Sequence, residues 1–209
     1  MTSRPAIHPS RQPRVTSNAY RFRILGVDPA LAGATGYGVV EFEGSAPHVL
    51  HFGALKLPAR ASFDSRLREI HQLIARLVEE FAPDAVAVES VFTALNVRTA
   101  LKLAEVRGVV LLAAAQAQIP SHSYSPREVK VTVAGHGGAS KQQMQQMVSS
   151  ALGLATRPEP ADAADALAVA LCHAHLSQAR ERMARAMGIG SAVLSAGNRK
   201  RPARIQILQ

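Results

Sequence analysis

Two short runs, ILGVD ending on Asp28 and AVAVE ending on Glu89, are apolar at nearly every position and stop on a carboxylate. A strand with one wet face alternates apolar and polar residues, so runs without that alternation belong to strands covered on both sides. Such strands are expected to be adjacent and parallel in the interior of a sheet with helices on both faces. Their C-terminal tips then share one rim, where α/β folds place ligand sites. Asp28 and Glu89 are therefore expected to be neighbours. Each also has an ordinary local explanation: Asp28 can cap the turn before Pro29, and Glu89 can mark where a strand reaches water.

The rest of the chain is consistent with that frame. After Asp28 comes a Gly-rich turn, then the alternating TGYGVVEFEG and HVLHFGALKL, which with the first run make a three-strand meander. From Ser62 to Phe81 the residues Phe63, Leu67, Ile70, Leu73, Ile74, Leu77 and Val78 recur at helical spacing, and Pro83 ends the pattern. A helix over TALKLAEVRGVVLLAAAQAQ, a short strand SHSYS and two short helices around REVKVTVAG and SKQQMQQMVSSALG follow AVAVE. A last long helix runs from about Ala161 to Arg185. The order predicts one α/β domain over 22–186, with a five-stranded mixed sheet. Residues 1–21 read as a disordered basic extension and 187–209 as a flexible basic tail.

The formal charge of +9 in 209 residues suggests a nucleic-acid partner, but it is concentrated at the ends. Arg4, Arg11, Arg14, Arg21 and Arg23 have no acid among them, and residues 180–209 hold Glu181 as their one acid. Within the domain, residues 91–141 are locally basic through Arg98, Lys102, Arg107, Arg127, Lys130 and Lys141, against Glu105 and Glu128. The single cysteine, Cys172, excludes an internal disulfide and fits a reducing compartment. The longest apolar stretch, GVVLLAAA, falls well short of a membrane span. A soluble cytoplasmic protein is expected. The arginine-rich start leaves organellar targeting open, although Pro5, Pro9 and Pro13 oppose an amphipathic helix.

The last helix opens PADAADALAVA, with Asp162 and Asp165 three residues apart and so on one face. Acids in a first turn favour the helix dipole, yet like charges at this spacing repel, and apolar neighbours limit solvent. Something cationic is expected between them. Four carboxylates from three segments, Asp28, Glu89, Asp162 and Asp165, are a donor set suited to hard divalent cations such as Mg²⁺. A metal pair held by carboxylates is the usual apparatus for attack of water on a phosphodiester. His173 and His175, two apart on a helix, point away from each other and are expected to be packed or surface residues.

Five segments together resemble the RuvC-type Holliday-junction resolvases of the ribonuclease H-like superfamily. They are ILGVDPALAGATGYGVV, AVAVESVF, NVRTALKLAEVRGVV, REVKVTVAGHGGASKQQMQQMV and ADAADALAVALCHAH. The resemblance covers roughly residues 22 to 178. It implies a homodimeric endonuclease that uses two Mg²⁺ ions per site, with Mn²⁺ able to substitute. Such an enzyme places paired symmetric nicks in four-way DNA junctions during recombination and repair, alongside a branch-migration motor. It also implies that Asp28, Glu89, Asp162 and Asp165 form the acidic tetrad and that Lys130 and Lys141 are the active-site cations. Phe92 matches an aromatic that stacks on a junction base. Asn96, Arg98, Lys102, Arg107, Lys130 and Lys141 fall on the expected DNA face, and the helix from about Arg98 to Ala117 on the dimer contact. Three features depart from the pattern: Ala30 replaces a usual glycine, the first turn is one residue longer, and Leu95 replaces a common lysine. A phosphotransferase of the actin-like fold would need a second nucleotide-binding half for which the chain has no room. A junction-binding protein without cleavage would leave the carboxylates purely structural.

Overall fold

In the computed structural model, residues 21–31, 33–90 and 96–188 are described. The elements run β1 (Arg21–Asp28), β2 (Ala34–Glu43), β3 (Ala46–Lys56), α1 (Phe63–Phe81), β4 (Ala85–Glu89), α2 (Val97–Gln116), β5 (Ser121–Tyr124), α3 (Pro126–Ala134), α4 (Lys141–Ala151) and α5 (Ala161–Ala186). The strands form one mixed sheet in the order β3-β2-β1-β4-β5. β1, β4 and β5 run parallel, while β2 and β3 are antiparallel to their neighbours. This is the expected five-stranded sheet. Arg21, assigned to the extension on sequence grounds, instead opens β1, where it is paired in register with Glu43 of β2 and its guanidinium lies 2.7 Å from the Glu43 carboxylate. The last helix, expected from about Ala161 to Arg185, runs from Ala161 to Ala186.

Strand alternation divides the apolar residues between two cores. Leu25, Val27, Val39, Val86 and Val88 pack against α1 and α2, with Ile70, Ile74, Val106 and Val110. Ile24, Val40, Phe42, Ala87 and Tyr124 pack against α3, α4 and α5, with Val129, Met144, Val148, Leu167 and Leu171. Counting by twos along β1 and β4 therefore puts Asp28 on the face of Ile24 and Glu89 on the face of Ala87, both under α5. The parallel register sets Val27 beside Val88, so the two acids that follow stand side by side.

α5 can lie across β1 and β2 because both surfaces are small. Ala163, Ala166 and Ala170 on the helix are fully buried. Opposite them stand Gly26, Gly36 and Gly38, each in strand. A Cβ on Gly26 would collide with the Ala166 carbonyl oxygen, one on Gly36 with the Asp162 carbonyl oxygen, and one on Gly38 with the Leu167 side chain. The separation of helix and sheet is thus set by main chain meeting main chain.

The far half of α5 is fixed by a polar contact. His173, 3% exposed, is hydrogen-bonded through Nδ1 to the Tyr124 hydroxyl at 2.7 Å, and its ring lies 4.4 Å from that of His122. Burial depresses the His173 pKa to about 4, with His122 and Arg180 acting in the same direction. His175, two residues on, is exposed, so the two histidines do point apart.

Gly26→Ala should destabilise the protein by roughly 1–3 kcal/mol or more, the usual cost of forcing atoms into a close-packed core. Urea unfolding in EDTA measures this, and a change below about 0.5 kcal/mol would show that α5 has room to move.

Candidate active site

The four acids reach one cleft by three routes. Asp28 and Glu89 are the last residues of β1 and β4, and Asp162 and Asp165 occupy the first turns of α5. A cleft of about 250 Å³ at the sheet rim is lined by Asp28, Glu89, Asp165, Lys130 and Lys141, with Pro126, Val129, Met144 and Ala168 as its apolar wall. Asp162 does not line this space, but its charge acts on Asp28 from beside it. Five of the six residues named from the sequence for this site thus share one cleft, with Asp162 near enough for its charge to act on Asp28 and Lys141.

The lysines are delivered by two capped helices. Ser125 and Glu128 form a reciprocal cap that starts α3, which carries Lys130. Ser140 and Gln143 do the same for α4, whose first residue is Lys141. The Lys141 ammonium sits 3.1 Å from Asp165 Oδ2, supplying the cation that the Asp162–Asp165 pair demanded. Its bond to Asp165 raises the Lys141 pKa.

The cleft holds more negative charge than its lysines balance. Burial, then Glu89, Asp165 and Asp162, push the Asp28 pKa up to about 8, with Lys141 opposing. Burial, then Asp165, raise Glu89 to about 7, with Lys130 opposing. A negative charge on Glu89 helps hold a proton on Asp28. Closely spaced, poorly solvated oxygen donors of this kind fit a hard divalent cation, which would restore both carboxylates to their charged form. Among the described residues, however, no group of three or more His, Cys, Asp or Glu side chains is arranged to hold an ion as it stands. The donor set fits in chemistry, while Lys141 stands on one of the carboxylates.

The sequence model of the family described as "Crossover junction endodeoxyribonuclease RuvC" matches residues 24–173. The chain belongs to this RuvC family. The RuvC protein of Chloroflexus aurantiacus is 48% identical over 160 residues, covering 77% of this chain and 97% of its own length. The Thermus thermophilus RuvC structure superposes with a TM-score of 0.69 at 36% identity, covering 75% of this chain and 96% of that one. A second structure of that protein, in complex with a Holliday junction substrate, gives 0.68 at 34% identity. The ribonuclease H-like architecture expected from the sequence is thus the observed one.

The remaining candidate DNA residues are dispersed. Asn96 caps α2, its Oδ1 accepting from the Thr99 amide at 2.9 Å. Arg98 is exposed on the first turn of α2. Lys102 extends over the Phe63 ring, with Nζ 5.4 Å from its centroid. Arg107 donates from a terminal guanidinium nitrogen to Ser123 Oγ, while its buried Nε has no partner among the described residues. Phe92 and Leu95 lie outside the described residues. The two reciprocal caps were legible as S-x-x-E at 125–128 and S-x-x-Q at 140–143, a signal that fixes where the helices carrying Lys130 and Lys141 begin.

For a carboxylate whose folded pKa lies above its unfolded value, the native state holds the extra proton, and stability falls as pH rises through that window. In EDTA, raising the pH from 6.5 to 8.5 should therefore cost the protein roughly 2 kcal/mol, or about 4–8 °C in Tm. Asp28→Asn should remove most of that loss. Both are read by scanning calorimetry, and a flat Tm in the parent protein would mean that the carboxylates are better solvated than the cleft geometry implies.

Proposed function

We propose that this chain nicks four-way DNA junctions at the cleft formed by β1, β4, α3, α4 and α5. The observation that carries this reading is the convergence of carboxylates from three distant segments with two lysines in one open cleft. Asp28, Glu89, Asp162 and Asp165 would hold a pair of divalent ions, with Mg²⁺ the expected species and Mn²⁺ a substitute. Such a pair, when bound, supplies charge neutralisation at the phosphodiester and an activated water.

The chain's own residues do the rest. The apolar wall of Val129, Met144 and Ala168 limits water around the acids and strengthens every charge interaction in the cleft. Lys130 and Lys141 face the same space, where their ammonium groups meet the negative charge that grows on a phosphate under attack. Lys141 is held in place by Asp165 until a phosphate arrives, so it is positioned in advance.

Paired nicks in strands of like polarity require two such clefts related by a two-fold axis. α2 supplies a candidate interface, because Val97, Leu101 and Leu112 are 76%, 60% and 52% exposed on it. Apolar side chains clustered on one solvent-facing helix fit contact with a second copy. Symmetric nicking of this kind serves recombination and repair, where a branch-migration motor acting on the same junction is the expected partner. Base stacking by Phe92 and phosphate contacts by Arg98, Lys102 and Arg107 are the DNA interactions this reading expects. The described residues contain no helix long and apolar enough to cross a membrane, in keeping with an enzyme that meets DNA in the cytoplasm.

Asp162→Asn should lower nicking of a labelled junction in Mg²⁺ by roughly 100-fold or more while leaving junction affinity equal or higher, since a ligand and a negative charge near phosphate are both removed. Denaturing gels and anisotropy read the two quantities, and a parent protein that binds but never nicks in Mg²⁺ or Mn²⁺ would reduce the function to junction binding. Leu101→Glu should convert a dimer to a monomer in light scattering; an unaltered mass would move the interface off α2.

A further inference from the structure

A second cavity, of about 540 Å³, opens where the loop after β1 meets the end of β3 and the starts of α1 and α2. Leu31 and Gly33 form one wall, Phe63 another, and Lys56, Arg66 and Lys102 supply the charge. No acid lines it, and none of the three cations pairs with an acid among the described residues. Two of them are held in place without being neutralised. Lys102 rests on the Phe63 ring, and Arg66 donates to the Pro58 carbonyl at 2.9 Å. Three like charges around one space, two of them held in place, repel unless an anion enters.

The location decides which anion. Leu31 is three residues beyond Asp28, so their Cα atoms are at most about 11 Å apart. Along one strand of B-form DNA that distance corresponds to about three nucleotides of rise. The cavity is open, and Leu31, Leu57 and Phe63 give it an apolar side suited to a sugar face. We propose that it binds a backbone phosphate of the cleaved DNA strand, a few nucleotides from the phosphate at the carboxylates. This rests on the junction-nicking reading and extends it: the site fixes the direction in which the strand leaves the cleft.

The test uses the full chain and an immobile junction in EDTA, with affinity followed by anisotropy between 50 and 200 mM salt. Lys56→Ala/Lys102→Ala should weaken binding roughly tenfold and flatten the slope of log affinity against log salt by about 0.9–1.8. The Lys56→Arg/Lys102→Arg protein should keep the parent slope. A scan of single uncharged methylphosphonate linkages should reveal, in the parent, a sensitive position a few nucleotides from the cut, and the double alanine protein should have lost that sensitivity. An unchanged slope together with an unchanged methylphosphonate profile overturns the site. If the alanine protein fails to fold, the scan on the parent still decides, since absence of a second sensitive linkage is fatal. A parent that nicks junctions but shows no such linkage removes only this cavity, whereas a parent that neither binds nor nicks removes the functional reading as well.

Discussion

The contact between α5 and the β1–β2 pair governs the geometry of everything else. Gly26 and Gly36 leave no side chain between strand and helix, so the carbonyls of Ala166 and Asp162 come down directly onto the sheet. Because the Asp162 main chain is itself part of that contact, the helix cannot rise from the sheet without carrying its carboxylates away from Asp28. The Gly-rich stretch after the first strand is commonly read as a phosphate-binding turn. Here two of its glycines lie within β2 and serve helix packing.

A consequence of that close approach is electrostatic. Burial of the two acids at the strand tips, together with the charge of Asp165 and, for Asp28, of Glu89 and Asp162, makes Asp28 and Glu89 resist ionisation. A protein selected only for stability would not keep such a cluster, since each raised carboxyl weakens the folded state near neutral pH. The strain is relieved in part by Lys141 and would be relieved further by divalent cations. At Asp28 and Glu89 stability is therefore opposed to the proposed chemistry, and the buried Tyr124–His173 bond and the alanine-rich face of α5 hold the helix in place against the repulsion. The basic cavity beside the β1 loop carries the complementary imbalance, an excess of positive charge. Under the proposed function, the two would form a surface along which a polyanion runs, its phosphates drawn to the cations of the cavity and to ions that the acids would hold.

What the residues alone determined was considerable, because the informative patterns were local or periodic. Uninterrupted apolar runs identified β1 and β4 as interior parallel strands, and their length fixed Asp28 and Glu89 at a common rim. Helical spacing located α1 and α5, and the three-residue interval put Asp162 and Asp165 on one face. The divergent directions of His173 and His175 followed from helix geometry in the same way. Tertiary structure decided what depends on contacts between distant segments. That Lys141 stands on Asp165, that Arg21 pairs with Glu43 at the start of β1, and that Lys102 meets Phe63 at a basic cavity all involve partners brought together by folding. Periodicity tells a residue which way to face; only the packed chain supplies the atom it faces, and with it the local dielectric and charge that set what the residue can do.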